Sequence, residues 1–389
     1  MKTKSNGLKR FFVNCFGNEK YQSITIPLFA ILISLIVGAV IITLLGKNAL
    51  SAYQNLLQGS GLLPKPSYAG YKSMLTDFTS FLNAWTPMLF ASLAVAVALR
   101  AGLFNIGVSG QMLTAGFFAT VLVGYSEMPS VIAKPLVLIV GIIAGACVGG
   151  LIGYLKYRFN INEVVSSIMI NYIAQYVFSF FINTYFVDPV SRQSVSVSTG
   201  SRLTLMDTLV GDLKMDIPLT VVLAIITAFF IKFLIDKTTL GYELKAAGAS
   251  PTAAEYAGIH VGKNMVLTMV ISGGLAGLAG VTYYLGYFGS IQPKVLVSTG
   301  FDAIAVSLLG NSNPIGILFS SFLITIISKG STYMSSAAGI QAEIASVITG
   351  ILLLFSACGA YMKQKIKLLE YDITAEKSVL QKQEKGEEQ

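Results

Sequence analysis

Apolar residues run in uninterrupted blocks at 24–45, 85–99, 106–124, 132–154, 164–187, 217–235, 265–288, 299–310, 314–333 and 341–361, with polar residues gathered between them. Most blocks approach the roughly 20 residues that a helix needs to cross a hydrocarbon layer. The pattern predicts an all-α integral membrane protein of about ten transmembrane helices. The second and eighth blocks are short and flanked by Gly, Asn and Pro, which predicts tilted, broken or partly re-entrant segments there. Ten spans would place both termini on one side.

Composition sharpens this picture. Only 12% of the 389 residues are charged and 54% are hydrophobic, against roughly 25% charged in ordinary soluble domains. The basic N-terminus and first block have the outline of a signal peptide, but the block is too long and lacks a small-residue cleavage site, so it reads as an uncleaved first span. The net charge of +8 comes from 27 Lys and Arg against 19 Asp and Glu. Eighteen of the 27 lie in or nearest the terminal segments and even-numbered loops, and nine lie in or nearest the other loops, with Lys134, Lys232 and Lys329 assigned from inside blocks to the nearer loop. The positive-inside rule then makes both termini cytoplasmic. Nucleic-acid binding is not expected.

The predicted organisation is a cytoplasmic segment at 1–23, a transmembrane domain at 24–361 and a cytoplasmic charged tail at 362–389. Two long polar connections, 46–84 and 188–216, fall outside, while 236–264 falls inside. The segments Ile106-Gly107-Val108-Ser109 and Ile304-Ala305-Val306-Ser307 echo each other five spans apart, as in two inverted repeats.

No catalytic or metal-binding constellation is evident. The single histidine, His260, has no neighbours suited to a triad or a metal, and Cys15, Cys147 and Cys358 have neither disulfide-framework nor zinc spacing. The run Ala257 to Asn264 superficially resembles a phosphate loop, but Ala257 replaces the first Gly and Asn264 the Ser or Thr that binds magnesium. The chain is therefore not expected to be an enzyme or to bind a cofactor.

The inner loop has the strongest local signals. Gly248 suits the left-handed end of one short helix, Ser250 the cap of the next, Pro251 its first turn and Gly258 its close. The predicted product is an elbow of two short helices, whose second arm around Ala254 is mostly small residues. Within the membrane blocks, polar side chains are expensive and so mark candidate function or helix-to-helix bonding. Asn105, Ser109, Gln111, Asn171 and Asn311 are neutral hydrogen-bonding groups suited to an uncharged polar solute, with Phe104 available for stacking. The spacings Gly145 to Gly149 and Gly273 to Gly277 fit close helix packing.

Four segments together resemble the permease subunits of ATP-driven importers of the ribose and branched-chain amino acid superfamily, nearest the simple-sugar and nucleoside branch. They are Arg100 to Gln111, Asn162 to Ala174, Gly241 to Ile259, and Gly300 to Gly310 with Asn313-Pro314. The polar stretch before the second span also resembles the longer of the two permeases in nucleoside importers. Three positions depart from the family pattern: Ser109 stands where Glu is usual, Lys245 where Arg is common, and Ser250 where Asn commonly precedes the Pro.

The resemblance implies a type II-like ABC importer permease for nucleosides in the cell membrane. It would pair with a second similar permease, receive substrate from an extracytoplasmic binding lipoprotein and draw energy from a cytoplasmic ABC ATPase. Gly248, Ser250, Pro251, Ala254, Tyr256 and Gly258 would form the element coupled to that ATPase. ATP dependence comes with the resemblance alone. A simple-sugar or branched-chain amino acid permease, an ion-coupled secondary carrier and a non-transporting scaffold are the alternatives.

Overall fold

The computed structural model describes residues 19–341, 343–359 and 361–371. The helices are α1 (Glu19–Leu44), α2 (Ala49–Gly59), α3 (Met74–Arg100), α4 (Val108–Ala119), α5 (Ser130–Phe159), α6 (Glu163–Phe181), α7 (Thr220–Lys237), α8 (Thr239–Ala249), α9 (Pro251–Tyr256), α10 (Val261–Val281), α11 (Thr299–Leu309), α12 (Pro314–Ala338), α13 (Glu343–Ala357) and α14 (Tyr361–Tyr371). Every apolar block coincides with a helix. Six helices among the described residues are long and apolar enough to cross a membrane, or seven if α13 and α14, bent by 43°, form one span. The others are shorter, or in α7 carry Lys232, Asp236 and Lys237 in their last two turns.

The second block is longer than its apolar core suggests. Ser73 and Thr76 form a reciprocal capping box that starts α3 at Met74, so eleven residues assigned to an outer connection are helical. The same connection holds α2, and the stretch 188–216 holds most of an antiparallel hairpin, β1 (Thr204–Val210) and β2 (Leu213–Pro218). Gly211, at φ +63°, turns the hairpin, and Thr204 Oγ1 donates to Asn83 Oδ1 at 3.0 Å, pinning it to α3. The echo between Ile106–Ser109 and Ile304–Ser307 does not share a structural register, because the first opens α4 and the second lies inside α11.

The chain forms two compact units. In the one that comprises the described residues up to Ala49 and from Ser346, Ile26 and Ile366 are buried together with Phe29 and Met362 against them. The other, Leu50–Ala345, is built around α5 and α10. Their glycines interlock: a methyl on Gly149 would stand 2.1 Å from the Met269 carbonyl oxygen, and one on Gly277 would stand 2.0 Å from that of Gly141. Such backbone contact drives association in lipid, where the hydrophobic effect between helices is absent. Here the expected GxxxG pairing is found, with each motif the other's partner.

Candidate functional site

Three features of the Leu50–Ala345 unit carry candidate chemistry: a break between α3 and α4, the elbow α8–α9, and a cleft beside the end of α10.

The chain unwinds over residues 101–107, with Gly102 at φ +69°. The next helix, α4, is capped by Gly107, which has no side chain to satisfy the first-turn N–H groups. Asn171 on α6 performs that task from across the fold, accepting from Gly110 N at 2.8 Å and donating to the Ile106 carbonyl at 3.0 Å. Asn105 accepts from Gly107 N at 3.0 Å and donates to Gln111 Oε1 at 3.0 Å and Ser272 Oγ at 2.8 Å. Ser272 passes the chain on to the Ala94 carbonyl, and Ser109 donates to the Val297 carbonyl at 2.9 Å. Asn105, Ser109 and Gln111 are wholly buried and Asn171 almost so.

These four candidate pathway residues are therefore engaged with the protein. Their geometry holds a helix break open in a low-dielectric interior, where each orphaned backbone group would cost about 1–3 kcal/mol. Phe104 is half-buried in the same unwound stretch. Asn311 is elsewhere: it occupies the turn after α11 at φ +54°, its carbonyl facing the Arg100 guanidinium, which also donates to the Ser312 carbonyl at 2.9 Å.

The elbow has the expected two arms. Ser250 Oγ accepts from Ala253 N at 3.4 Å, Pro251 occupies the first position of α9, and Gly258 closes the turn at φ +81°. Gly248 differs from expectation. It lies inside α8 with right-handed backbone, and its lack of a side chain serves close approach: an added methyl would meet Ala101 C at 2.6 Å and Gly102 N at 2.7 Å. The elbow thus rests on the helix break. Ala254 is buried among Ala247, Val261 and their neighbours, so it is the elbow's own core, whereas Tyr256 is 96% exposed at its tip.

The cleft was missed by sequence reasoning. Helix α10 ends in a π turn, Thr282–Phe288. Because a π turn closes i to i+5, residues at i+4 and i+5 both lie over residue i. Tyr283 thereby gathers Tyr287 and Phe288, with ring centroids 6.3 and 4.8 Å from its own and 4.7 Å from each other. Two adjoining cavities of about 200 and 270 Å³ share Tyr283, Phe288 and Ser298. Lys329 of α12 enters the first, its Nζ 2.9 Å from the Tyr287 hydroxyl and 4.9 Å from that ring's centroid. The legible signal was the cluster Tyr283-Tyr284-Leu285-Gly286-Tyr287-Phe288 together with a lysine inside an apolar block.

Outside the spans, Arg202 donates to the carbonyl of Gly286, within the π turn, at 3.2 Å. Burial lowers its pKa from the usual arginine value, and the Asp216 carboxylate partly offsets that shift. A guanidinium at this helix end also complements the negative pole of α10.

Residues 78–357 match the model of the family described as branched-chain amino acid transport system, permease component. The chain belongs to this permease family. It is 33% identical to the nucleoside ABC transporter permease protein NupB of Lactococcus lactis subsp. cremoris (strain MG1363), an alignment covering 87% of this chain and 92% of NupB. It is 34% identical to the guanosine ABC transporter permease protein NupP of Bacillus subtilis (strain 168), covering 87% and 94%. A second L. lactis protein, the nucleoside ABC transporter permease protein NupC, is 25% identical over 63% of this chain and 78% of its own length. Family membership and the apolar helices make this permease a multi-pass membrane protein and a transport component rather than an enzyme.

Proposed function

We propose that this chain is the transmembrane permease subunit of an ATP-binding cassette importer of nucleosides. The observation that carries this reading is the near full-length similarity to two permeases named for nucleoside and guanosine transport. The similarity to NupC, a second nucleoside permease of the organism that has NupB, supports pairing with a related but different permease. A cytoplasmic ATPase and an extracytoplasmic binding lipoprotein complete the assembly.

In this assembly the elbow faces the cytoplasm with both termini, as the excess of basic residues on that side suggests. Tyr256, with Pro251 and Gly258 shaping the arm that presents it, docks on the ATPase. Gly248 transmits the movement to the unwound residues 101–107. Asn105, Ser109, Gln111 and Asn171 act on the path by holding that break, with Phe104 beside it, and Asn311 supports the break from the elbow end. The inverted-repeat reading is supported by element order rather than by the four-residue echo. The series α3, break, α4, α5 is matched by α10, break, α11, α12, each with a long helix, a short one and a long one.

The test is uptake of labelled nucleosides by cells lacking other nucleoside carriers, with and without the gene for this chain. Loss of uptake on deletion and its abolition by ATP depletion are expected. Uptake by this chain alone, collapsing with an ionophore, would mean an ion-coupled carrier. Uptake of ribose or branched-chain amino acids in place of nucleosides would move the substrate within the same family.

A further inference from the structure

We propose that the cleft beside the π turn of α10 is a base-reading station on the translocation path, in which Lys329 selects 6-oxopurines over 6-aminopurines. The proposal rests on the nucleoside reading above and adds a site and a selectivity to it.

The argument begins with the cost of the lysine. An ionisable side chain inside a membrane helix is expensive and persists where it has a partner or a task. No carboxylate among the described residues pairs with Lys329, and its one hydrogen-bond partner there is the Tyr287 hydroxyl at 2.9 Å. An ammonium has three N–H donors and no acceptor. Two donors are thus left for whatever enters the cleft.

The walls say what that is. Tyr283, Tyr287 and Phe288 supply a dense aromatic surface on which a flat heterocycle can stack, an interaction available to every base. Ser298 and Thr299 bring hydroxyls suited to a sugar. Stacking does not discriminate between bases, but Lys329 does. Guanine and hypoxanthine present two adjacent acceptors, O6 and N7, to two free donors. Adenine presents N7 beside an amino group, so a donor would face a donor. A lysine aimed at the O6/N7 edge is a common specific contact to guanine, whereas a glutamine matches the N6/N7 edge of adenine.

The experiment uses the complete importer in cells, with uptake of labelled guanosine, inosine and adenosine measured for wild type, Lys329→Gln and Lys329→Arg. Selectivity contributed by the delivery protein cancels when each variant's guanosine-to-adenosine ratio is divided by that of wild type. Lys329→Gln is expected to lower the ratio by about fivefold or more, the low end for a bidentate base contact, and Lys329→Arg to preserve it. A uniform fall for all three nucleosides would overturn the proposal, because it would show Lys329 only tying α12 to the π turn. If Lys329→Gln does not reach the membrane, Tyr287→Phe, which removes the lysine's anchor, decides: a lowered ratio supports the station and an unchanged one refutes it. Wild-type cells taking up none of the three would instead refute the nucleoside reading.

Discussion

Replacing Gly248 by alanine tests whether the elbow and the helix break move as one body. The added methyl would stand 2.6 Å from Ala101 C, 2.7 Å from Gly102 N and 2.9 Å from the Arg100 carbonyl oxygen. All three are backbone atoms and cannot rotate away. To reach the 3.4 Å at which ordinary contact begins, α8 must retreat by about 0.8 Å. Overpacking of this kind costs about 1–3 kcal/mol, equivalent to a roughly 5- to 150-fold shift between seated and unseated elbow. The assay is the complete importer in lipid vesicles, with ATP hydrolysis and solute uptake followed together. Hydrolysis should continue while uptake per ATP falls about fivefold or more. Gly350→Ala serves as the control, since a methyl there meets nothing within 4 Å. Wild-type uptake per ATP in Gly248→Ala would refute the reasoning, because the elbow could then leave the break without consequence.

Two further substitutions address the other elements. Asn171→Leu strands Gly110 N and the Ile106 carbonyl in the interior, at about 1–3 kcal/mol for each buried group left unsatisfied. Thermal unfolding of the purified permease in detergent should come at lower temperature, and an unchanged transition would show the break to be held by other contacts. Tyr256→Ala removes a side chain that is 96% exposed and so leaves that transition in place. If Tyr256 anchors the ATPase at hot-spot strength, about 2 kcal/mol, affinity for the isolated ATPase subunit should fall roughly 30-fold. Undiminished affinity would remove it from the interface.

Much of this molecule was readable along the chain. Runs of apolar residues determine membrane helices because lipid offers the backbone no other partner, and each run does coincide with a helix. The elbow was legible for a similar reason: the Ser250 cap, Pro251 and Gly258 act on their own backbone within a few residues. Gly248 was misread because a left-handed turn and a close approach both call for glycine, and only the proximity of Ala101 and Gly102 tells which applies. The amides show the same boundary. Their types and their cost in a membrane were evident, but not that Asn171 caps a helix 61 residues away in the chain or that Asn105 meets Ser272 across 167. The cleft lay furthest from reach. It needs a π turn to place Tyr283, Tyr287 and Phe288 on one face, and α12 to bring Lys329 beside them from 42 residues downstream of Tyr287. Local backbone chemistry and the demand of lipid for satisfied hydrogen bonds are written in sequence order. Which polar groups are spent on the fold and which are left facing a cavity is decided by packing between distant segments.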